Sequence, residues 1–246
     1  MNRVAGWLVG AGLLFAQPAI DVASIKPSDP ALTASNNHFS ADRFTLINYG
    51  AQYLIENAFR LRNYQVVNAP EWTRSEHWTL EIKTTTATTM QQKFELLGPL
   101  LADRFHLRFH HETRSMTVYS LVVAKGGPKL KAPQGDQPEG TRYGNMIVGT
   151  KYPITRLAAD LAWNLNMPVI DKTGLSGIYD IDLNWTPNND RPDFGDVHNP
   201  ADLPAPDPNR PEIFTAIKEQ LGLELKAEKG PVDVIVIDHI ERPTPN

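Results

Sequence analysis

The feature that most constrains the fold of this chain is a pattern of apolar residues that occurs four times. Each occurrence starts with two apolar residues four positions apart, a spacing that places both on one face of a helix. A short apolar stretch, a turn-forming region and a stretch with every second residue apolar then follow. The helical pairs are Ile55/Phe59, Leu101/Phe105, Leu157/Leu161 and Ile217/Leu221, and the alternating stretches carry Trp78/Leu80/Ile82, Tyr119/Leu121/Val123, Tyr179/Ile181/Leu183 and Val232/Val234/Val236.

We interpret each occurrence as a helix packed on a β-hairpin, abbreviated αββ. One such unit is too small to close a hydrophobic core, so the units must pair. Strand-like segments at 43–50 and 145–150 precede the first and third units. The sequence therefore predicts an α+β fold of two tandem domains, each of the order strand–helix–strand–strand–helix–strand–strand. Chance alternation of helices and strands is the alternative interpretation.

Two proline-rich stretches divide the chain. The first, at 126–142, predicts a linker between a first αββ-pair domain at 40–125 and a second at 143–246. The other, at 186–212, predicts a long inserted loop, because proline lacks the amide donor that helices and central strands use. Residues 17–39 are predicted to form an extended N-terminal segment.

The N-terminus has the order of a secretory signal peptide. Arg3 precedes an apolar run, 4–15, that is too short to span a bilayer, and the small residue Ala16 precedes polar sequence. We therefore predict a signal peptide at 1–16 and a secreted or periplasmic location, with no stable membrane insertion after cleavage. An uncleaved membrane anchor or a buried N-terminal helix is the alternative.

Composition narrows the classes of partner and chemistry. The formal net charge of −4 and the pI of about 6.0 argue against nucleic acid as a partner. The chain has no cysteine, which excludes disulfides, thiol catalysis and thiolate metal sites. Phosphate-binding glycine loops and nucleophile-elbow motifs are also missing from the sequence. We therefore predict no cofactor and assign no catalytic residue.

His110, His111 and Glu112 form the most chemically suggestive stretch. Neighbouring residues of a strand point to opposite faces, so His110 and His111 cannot easily bind one ion. The pattern predicts that Phe105, Leu107 and Phe109 face the core, and that the stretch closes a strand and begins a hairpin turn. Metal binding or general-base chemistry there is the alternative, and it requires further ligands that no recognisable spacing supplies.

The loop that begins at Asp171 is the most distinctive turn. Asp171 and Thr173 can bond the backbone of a tight β-turn, and Gly174 and Gly177 can adopt a positive φ. The alternative is a recognition loop that presents Lys172 to a partner. Trp72 occupies the matching loop of the first unit and could anchor a partner or pack on its own helix. Our candidate partner-binding residues are therefore Trp72, Asp171, Lys172 and Thr173, and unpaired strand edges are a further possible docking surface.

Long stretches of the chain resemble a family of secreted acidobacterial (Solibacter-type) proteins of unknown function. The stretches are "DVASIKPS", "LLADRFHLRFHHETR", "PVIDKTGLSGIYDIDLNWTP" and "FTAIKEQLGLELKAEKGPVDVIVIDHIERP". Some members of that family carry the domain behind a membrane metallopeptidase of the β-lactam-sensor type, and the resemblance implies no catalytic residues. The predicted strand–helix–hairpin order is also similar to the short N-terminal domain of secretins and TonB-dependent receptors, which implies protein docking.

Taken together, these features predict a secreted or periplasmic, non-catalytic module that binds an envelope protein or peptide through strand edges or loops. Two other functions stay open at this point. One is an envelope hydrolase that uses the region from His110 to Glu112 or the long Pro/Asp-rich loop. The other is a sensor of small ligands such as cell-wall fragments, which requires a deep apolar cleft between the predicted domains.

Overall fold

The structure is a computed structural model that describes residues 19–134, 139–143, 145–186 and 210–244. The predicted signal peptide, 1–16, lies outside these residues. So do most of the predicted insertion at 186–212 and part of the predicted linker at 126–142. The chain is an α+β protein, as the apolar pattern predicts.

An antiparallel N-terminal sheet carries helices on one face. Its strands in spatial order are β1 (Ile20–Pro27), β5 (His77–Thr84), β3 (Arg43–Gly50) and β2 (Asn36–Phe39). The helices are α1 (Ala51–Ala58), α2 (Trp72–Ser75), α3 (Met90–Glu95) and α4 (Leu97–Arg104), with a 3₁₀ turn at Asn63–Gln65. The alternating residues of β5, Trp78, Leu80 and Ile82, pack with Ile55 and Leu101 in one N-terminal core.

A central sheet follows, built on two long strands. Its spatial order is β4 (Val66–Val67), β11 (Leu223–His239), β6 (Arg108–Val123) and β9 (Val169–Asp171). β6 and β11 are antiparallel and pair from Leu223 opposite Val123 to His239 opposite Arg108. β4 lies parallel to β11, and β9 lies parallel to β6. Strand pairing therefore joins the two predicted domains.

A C-terminal sheet completes the fold. Its spatial order is β10 (Ile178–Asn184), β8 (Met146–Pro153) and β7 (Glu139–Tyr143), all antiparallel. The helices beside it are α5 (Ile154–Leu165) and α6 (Ile213–Ala216), which continues as a π-helical turn, Ile217–Leu221. Ile181 and Leu183 of β10 pack with Leu157, Leu161 and Ile217 in a C-terminal core, as the apolar stripes predict.

The two cores use opposite ends of the central sheet. Ile235 and Ile237 of β11 belong to the N-terminal core, and Leu121 and Leu223 belong to the C-terminal core. Opposed residues of an antiparallel pair share a face, and the odd-numbered residues of both strands form that common face. Between the cores this face is polar and exposed, at Thr113, Ser115 and Thr117 of β6 and at Lys229, Pro231 and Asp233 of β11.

The predicted hairpins are wrong. In the first and third units the two strands enter different sheets. In the first unit, β4 pairs with β11, while β5 pairs with β1 and β3. In the third unit, β9 pairs with β6, while β10 pairs with β8. In the second and fourth units the predicted pair is one continuous strand, β6 or β11. No turn begins at His110, because that polar stretch is the exposed part of β6.

The backbone is irregular in the same way near the end of β3 and near the end of β8. Asn48 and Lys151 both have a positive φ, 65° and 50°, and the strand register shifts beside each of them. Tyr49 then pairs with Trp78, and Tyr152 pairs with Tyr179. α1 and α5 begin directly after these strands. The predicted tandem arrangement and the domain boundaries stay predictions.

Candidate functional site

Trp72 lies in α2 and is half-buried against the N-terminal core. The guanidinium of Arg242 lies over its ring, 5.1 Å from the centroid. Arg242 also donates hydrogen bonds of 2.6 and 2.8 Å to the two carboxylate oxygens of Glu76, which lower the pKa of that carboxyl. Arg242 therefore covers part of the Trp72 ring, which the sequence analysis proposed as an anchor for a partner.

Asp171, Lys172 and Thr173 form a turn at the end of β9. Asp171 Oδ1 accepts hydrogen bonds from the Thr173 amide at 2.9 Å and from the Thr173 hydroxyl at 2.8 Å. Lys172 Nζ lies 2.5 Å from Glu228 Oε1, which also accepts a 2.5 Å hydrogen bond from the buried Ser120 hydroxyl. These two donors, Lys172 first, lower the pKa of Glu228. The lysine therefore joins β9 to β11 across β6.

The structure does not bring Trp72 and this turn together. The Lys172 amide donates to Leu121 O, near the end of β6. Trp72 contacts Arg242, which follows the end of β11 that pairs with Arg108, at the start of β6. The two sets of candidate residues thus lie at opposite ends of the long strands. Their role in binding stays a prediction.

His110 and His111 lie on opposite faces of β6, and Glu112 shares the face of His110. His110 Nδ1 lies 2.8 Å from Asp238 Oδ1, and the ring of His111 packs edge-on against Phe109 on the opposite face. Glu112 accepts a 2.8 Å hydrogen bond from Arg114, which lowers its pKa. Within the described ranges, no three histidine or acidic side chains are placed to hold a metal ion. The predicted facing of Phe105 and Leu107 is confirmed, since both are buried.

A different candidate site lies at the outer edge of β10, the edge that faces away from β8, where main-chain groups are exposed. The amide of Asn184 donates to Gln220 Oε1 at 2.9 Å, and Gln220 Nε2 donates to Asn184 O at 2.7 Å. Asn184 therefore points away from β8. Because main-chain direction alternates along a strand, Asp182 points outward as well. Nearer the start of β10, the Asp180 amide donates to Lys131 O at 3.1 Å.

Other parts of the chain thus bond the outward main-chain groups of Asp180 and Asn184, the edge positions on either side of Asp182. We use the term β10 edge for the outward main-chain groups of Asp180, Asp182 and Asn184. In the part of the chain that the structure describes, no group bonds the outward amide and carbonyl of Asp182. They open into a cleft of about 760 Å³, here called the β10 cleft, whose lining includes Lys129, Lys131, Asp180, Asp182, Asn184 and Gln220.

The cleft exists because the segment from Ala124 to Lys131 packs against the end of the π-helical turn instead of continuing along β10. Lys129 donates its amide to Leu221 O at 2.9 Å and its ammonium to Glu219 O at 2.8 Å, so it completes carbonyls at a helix C-terminus. Gly222, with φ of 65°, permits the close approach of Gly127. This attachment draws the chain away from β10 just before Asp182.

Charges in the β10 cleft are mixed. Asp180 accepts the amides of Gln134 at 2.8 Å and Lys151 at 3.3 Å, so its carboxylate is held by the main chain. Asp182 accepts a 2.6 Å hydrogen bond from the Asn184 side chain. With Lys129 and Lys131 also in its lining, the cleft can offer cations, carboxylates and an outward amide–carbonyl pair. Such a set suits the main chain of a peptide.

The sequence of residues 52–240 matches a family described as a protein of unknown function, DUF3738. The match covers more than half of the chain. This chain belongs to the DUF3738 family. No curated protein and no solved structure gives a significant match to it. The matched part of this DUF3738 chain contains both long strands, β10, Gln220 and the whole β10 cleft.

Across the described residues of this DUF3738 chain, no helix is long and apolar enough to cross a membrane. The sequence analysis did not identify the β10 edge as a candidate site. One signal was present: "SIKP" at Ser24–Pro27 is similar to "KLKAP" at 129–133. Ile25 and Leu130 of these stretches pack against the N-terminal and C-terminal cores respectively.

Proposed function

We propose that this DUF3738 chain is a non-catalytic binding protein that takes up an extended peptide segment of another protein beside β10. The observation that carries the proposal is the outward amide and carbonyl of Asp182 in the β10 cleft. Adding a strand to an exposed sheet edge satisfies such groups with main-chain hydrogen bonds, while side-chain pockets give specificity.

The side chain of Gln220 supports this proposal. A carboxamide has the same donor and acceptor as a peptide unit, and Gln220 uses both of them on Asn184. It therefore acts on the β10 edge as a neighbouring strand would. An incoming peptide that displaces this side chain gains two hydrogen bonds at Asn184 in addition to those at Asp182.

We further propose that the two halves of the chain are tandem copies of one unit. Support comes from the paired irregularities at Asn48 and Lys151 and from the helices that begin directly afterwards. The arrangement of the long strands also favours it, since each half contributes one long strand and one short parallel strand to the central sheet. The copies exchange strands instead of forming separate hairpins.

We propose a secreted or periplasmic location, supported by the signal-peptide pattern at 1–16 and the lack of cysteine. Expression of the full chain in a bacterial host, followed by fractionation, tests it. A shortened chain in the periplasmic or medium fraction is expected. A full-length chain confined to the cytoplasm would overturn the location without affecting the peptide-binding proposal.

Binding is tested by selecting random linear peptides on the protein and measuring their affinity for variants. Asp182→Pro removes the outward amide, and an edge strand tolerates proline where its N–H faces solvent. We expect this variant to bind selected peptides about tenfold more weakly, the equivalent of one lost hydrogen bond. Trp72→Ala and Lys172→Ala serve as controls that leave the β10 edge intact.

Gln220→Ala is expected to change affinity in the opposite direction, because it removes the internal competitor at Asn184. A severalfold gain in affinity would support strand addition even if Asp182→Pro folded poorly. Peptides whose binding depends on Trp72 or Lys172, and not on Asp182 or Gln220, would move the site to those residues. If no linear peptide is selected, the proposed function is wrong.

A further inference from the structure

We infer that the segment recognised at the β10 edge is a short antiparallel strand of the same kind as β1, with a small apolar residue opposite Leu183. This inference rests on the proposed function and deepens it by naming the register and the side chain that fit. The structural basis is that the edge of β5 that corresponds to the β10 edge is already occupied, by β1.

The pairing of β1 with β5 shows what such an edge accepts. Ser24 lies opposite Glu81, and Ala23 lies opposite Ile82. Ile25, one residue further on, is fully buried in the N-terminal core, and Ala23 packs against that core. A polar or small outward residue therefore alternates with an apolar inward residue, and the inward positions differ in size.

β10 corresponds to β5 residue by residue. Tyr179 pairs with Tyr152 as Trp78 pairs with Tyr49, so Ile181 corresponds to Leu80 and Asp182 to Glu81. Both strands bury alternate residues in a core on the helix side. The main-chain groups of Asp182 and Asn184 consequently occupy the places where β5 bonds β1.

The chain itself supplies only the start of a matching strand. Lys131 bridges to Asp180 in antiparallel sense, as Lys26 does to Thr79. Leu130 packs against the C-terminal core, as Ile25 does against the N-terminal core. The next residue, Lys129, bonds Leu221 instead of Asp182. Counterparts of Ser24 and Ala23 are therefore absent from the described part of the β10 edge.

The positions along the β10 edge that no described residue occupies define the ligand. Its residue opposite Leu183 corresponds to Ala23 and faces the C-terminal core, so a small apolar side chain fits and a charged one would lose its hydration. Its residue opposite Asp182 shares a face with that carboxylate, which disfavours an acidic side chain there. We commit to a segment of another protein as the source, because β1 of a second copy is already paired along β5.

The probe is a synthetic, end-blocked peptide with the sequence of β1, IDVASIKP, titrated into the isotopically labelled protein. We expect saturable shifts of the amide signals of Asp182 and Asn184, and at least a tenfold loss of affinity for a peptide in which alanine is replaced by glutamate. A matched peptide with glutamate in place of the valine, whose counterpart Val22 is 58% exposed in β1, keeps the inward alanine and is expected to bind with less than a threefold change.

The outcomes separate the two proposals. Shifts confined to β5, or no binding by the β1 peptide while selected peptides still depend on Asp182, would overturn the inference and leave the proposed function standing. Absence of binding by every peptide would overturn both. Sedimentation of the protein alone tests the source: a dimer that Asp182→Pro dissociates would identify a second copy, instead of another protein, as the occupant.

Discussion

At the scale of single residues, Lys93 is a buried lysine that has no carboxylate hydrogen-bond partner among the described residues. Its side chain is 2% exposed, and Nζ donates to Ala41 O at 3.1 Å, Thr88 O at 2.7 Å and Thr88 Oγ1 at 2.6 Å. Burial lowers its pKa, and the charge of Asp42 opposes this shift. Three neutral acceptors thus satisfy the ammonium and hold two loops against α3.

Lys93→Met should destabilise the protein by about 2 kcal/mol, because it leaves buried acceptors without a donor. Urea unfolding measures the change. Lys26→Met is the control, since Lys26 is exposed, and we expect less than about 0.5 kcal/mol there. Equal losses for the two variants would show that the three hydrogen bonds of Lys93 contribute little.

Tyr152 gives a prediction for alkaline pH. The phenol is buried and donates a hydrogen bond to Asp160, and burial followed by this bond raises its pKa to about 12. A raised folded-state pKa gives stability that is complete below the ordinary value of 10.0 and is lost as pH rises toward 12. Stability of the wild type should therefore fall more steeply than that of Tyr152→Phe between these values.

Denaturant unfolding at several pH values checks this difference. Tyr152→Phe also loses the bond to Asp160, so we expect it to be less stable by about 1–2 kcal/mol at neutral pH. Parallel curves for the two proteins at alkaline pH would mean that Tyr152 ionises equally easily in the folded and unfolded states.

At the scale of elements, the end of the π-helical turn depends on Gly222. A Cβ there would lie 2.2 Å from Gly127 O, whereas at Gly174, which also has a positive φ, it would meet nothing within 4 Å. Gly174→Ala should cost about 1 kcal/mol for the strained backbone, and Gly222→Ala about 3 kcal/mol or more. Thermal or urea unfolding compares them, and similar losses would contradict the close approach.

The helices and strands were predictable because each element carries its own stripe of apolar residues. Ile55, Leu101, Leu157 and Ile217 all lie buried where the 3.6-residue period places them. Strand partners were not predictable, since a period of two defines a face of a strand and not its neighbour. The stretch from His110 to Thr117 imitated a turn because it is mostly polar and most of its residues are exposed.

At the scale of the whole molecule, the ladder of β6 and β11 makes each core depend on both halves. We predict that the amides of β5 and β8 exchange with solvent at the same limiting free energy of opening, since neither core can lose its long strand alone. Native-state hydrogen exchange measures both values. Two different limits would instead support independent domains divided at the predicted linker, 126–142.

The candidate site also depends on contacts between distant parts of the chain, which explains why the sequence analysis missed it. Among the described residues, the outward main-chain groups of Asp182 have no partner because Lys129 is bonded to Leu221, a residue from a distant part of the chain. No local pattern encodes a missing neighbour. The similar stretches at Ser24–Pro27 and 129–133 were the available hint, and their meaning depends on knowing that β1 and β5 pair.

The location of β11 has a consequence for biosynthesis. Ile235, Ile237 and Ile240 complete the N-terminal core, although they are translated long after its other members. A nascent chain that has emerged as far as α4 therefore has the N-terminal helices and sheet but an open apolar surface. Such delayed long-range closure slows folding and prolongs exposure to aggregation. Neither half can become native until β11 has been translated.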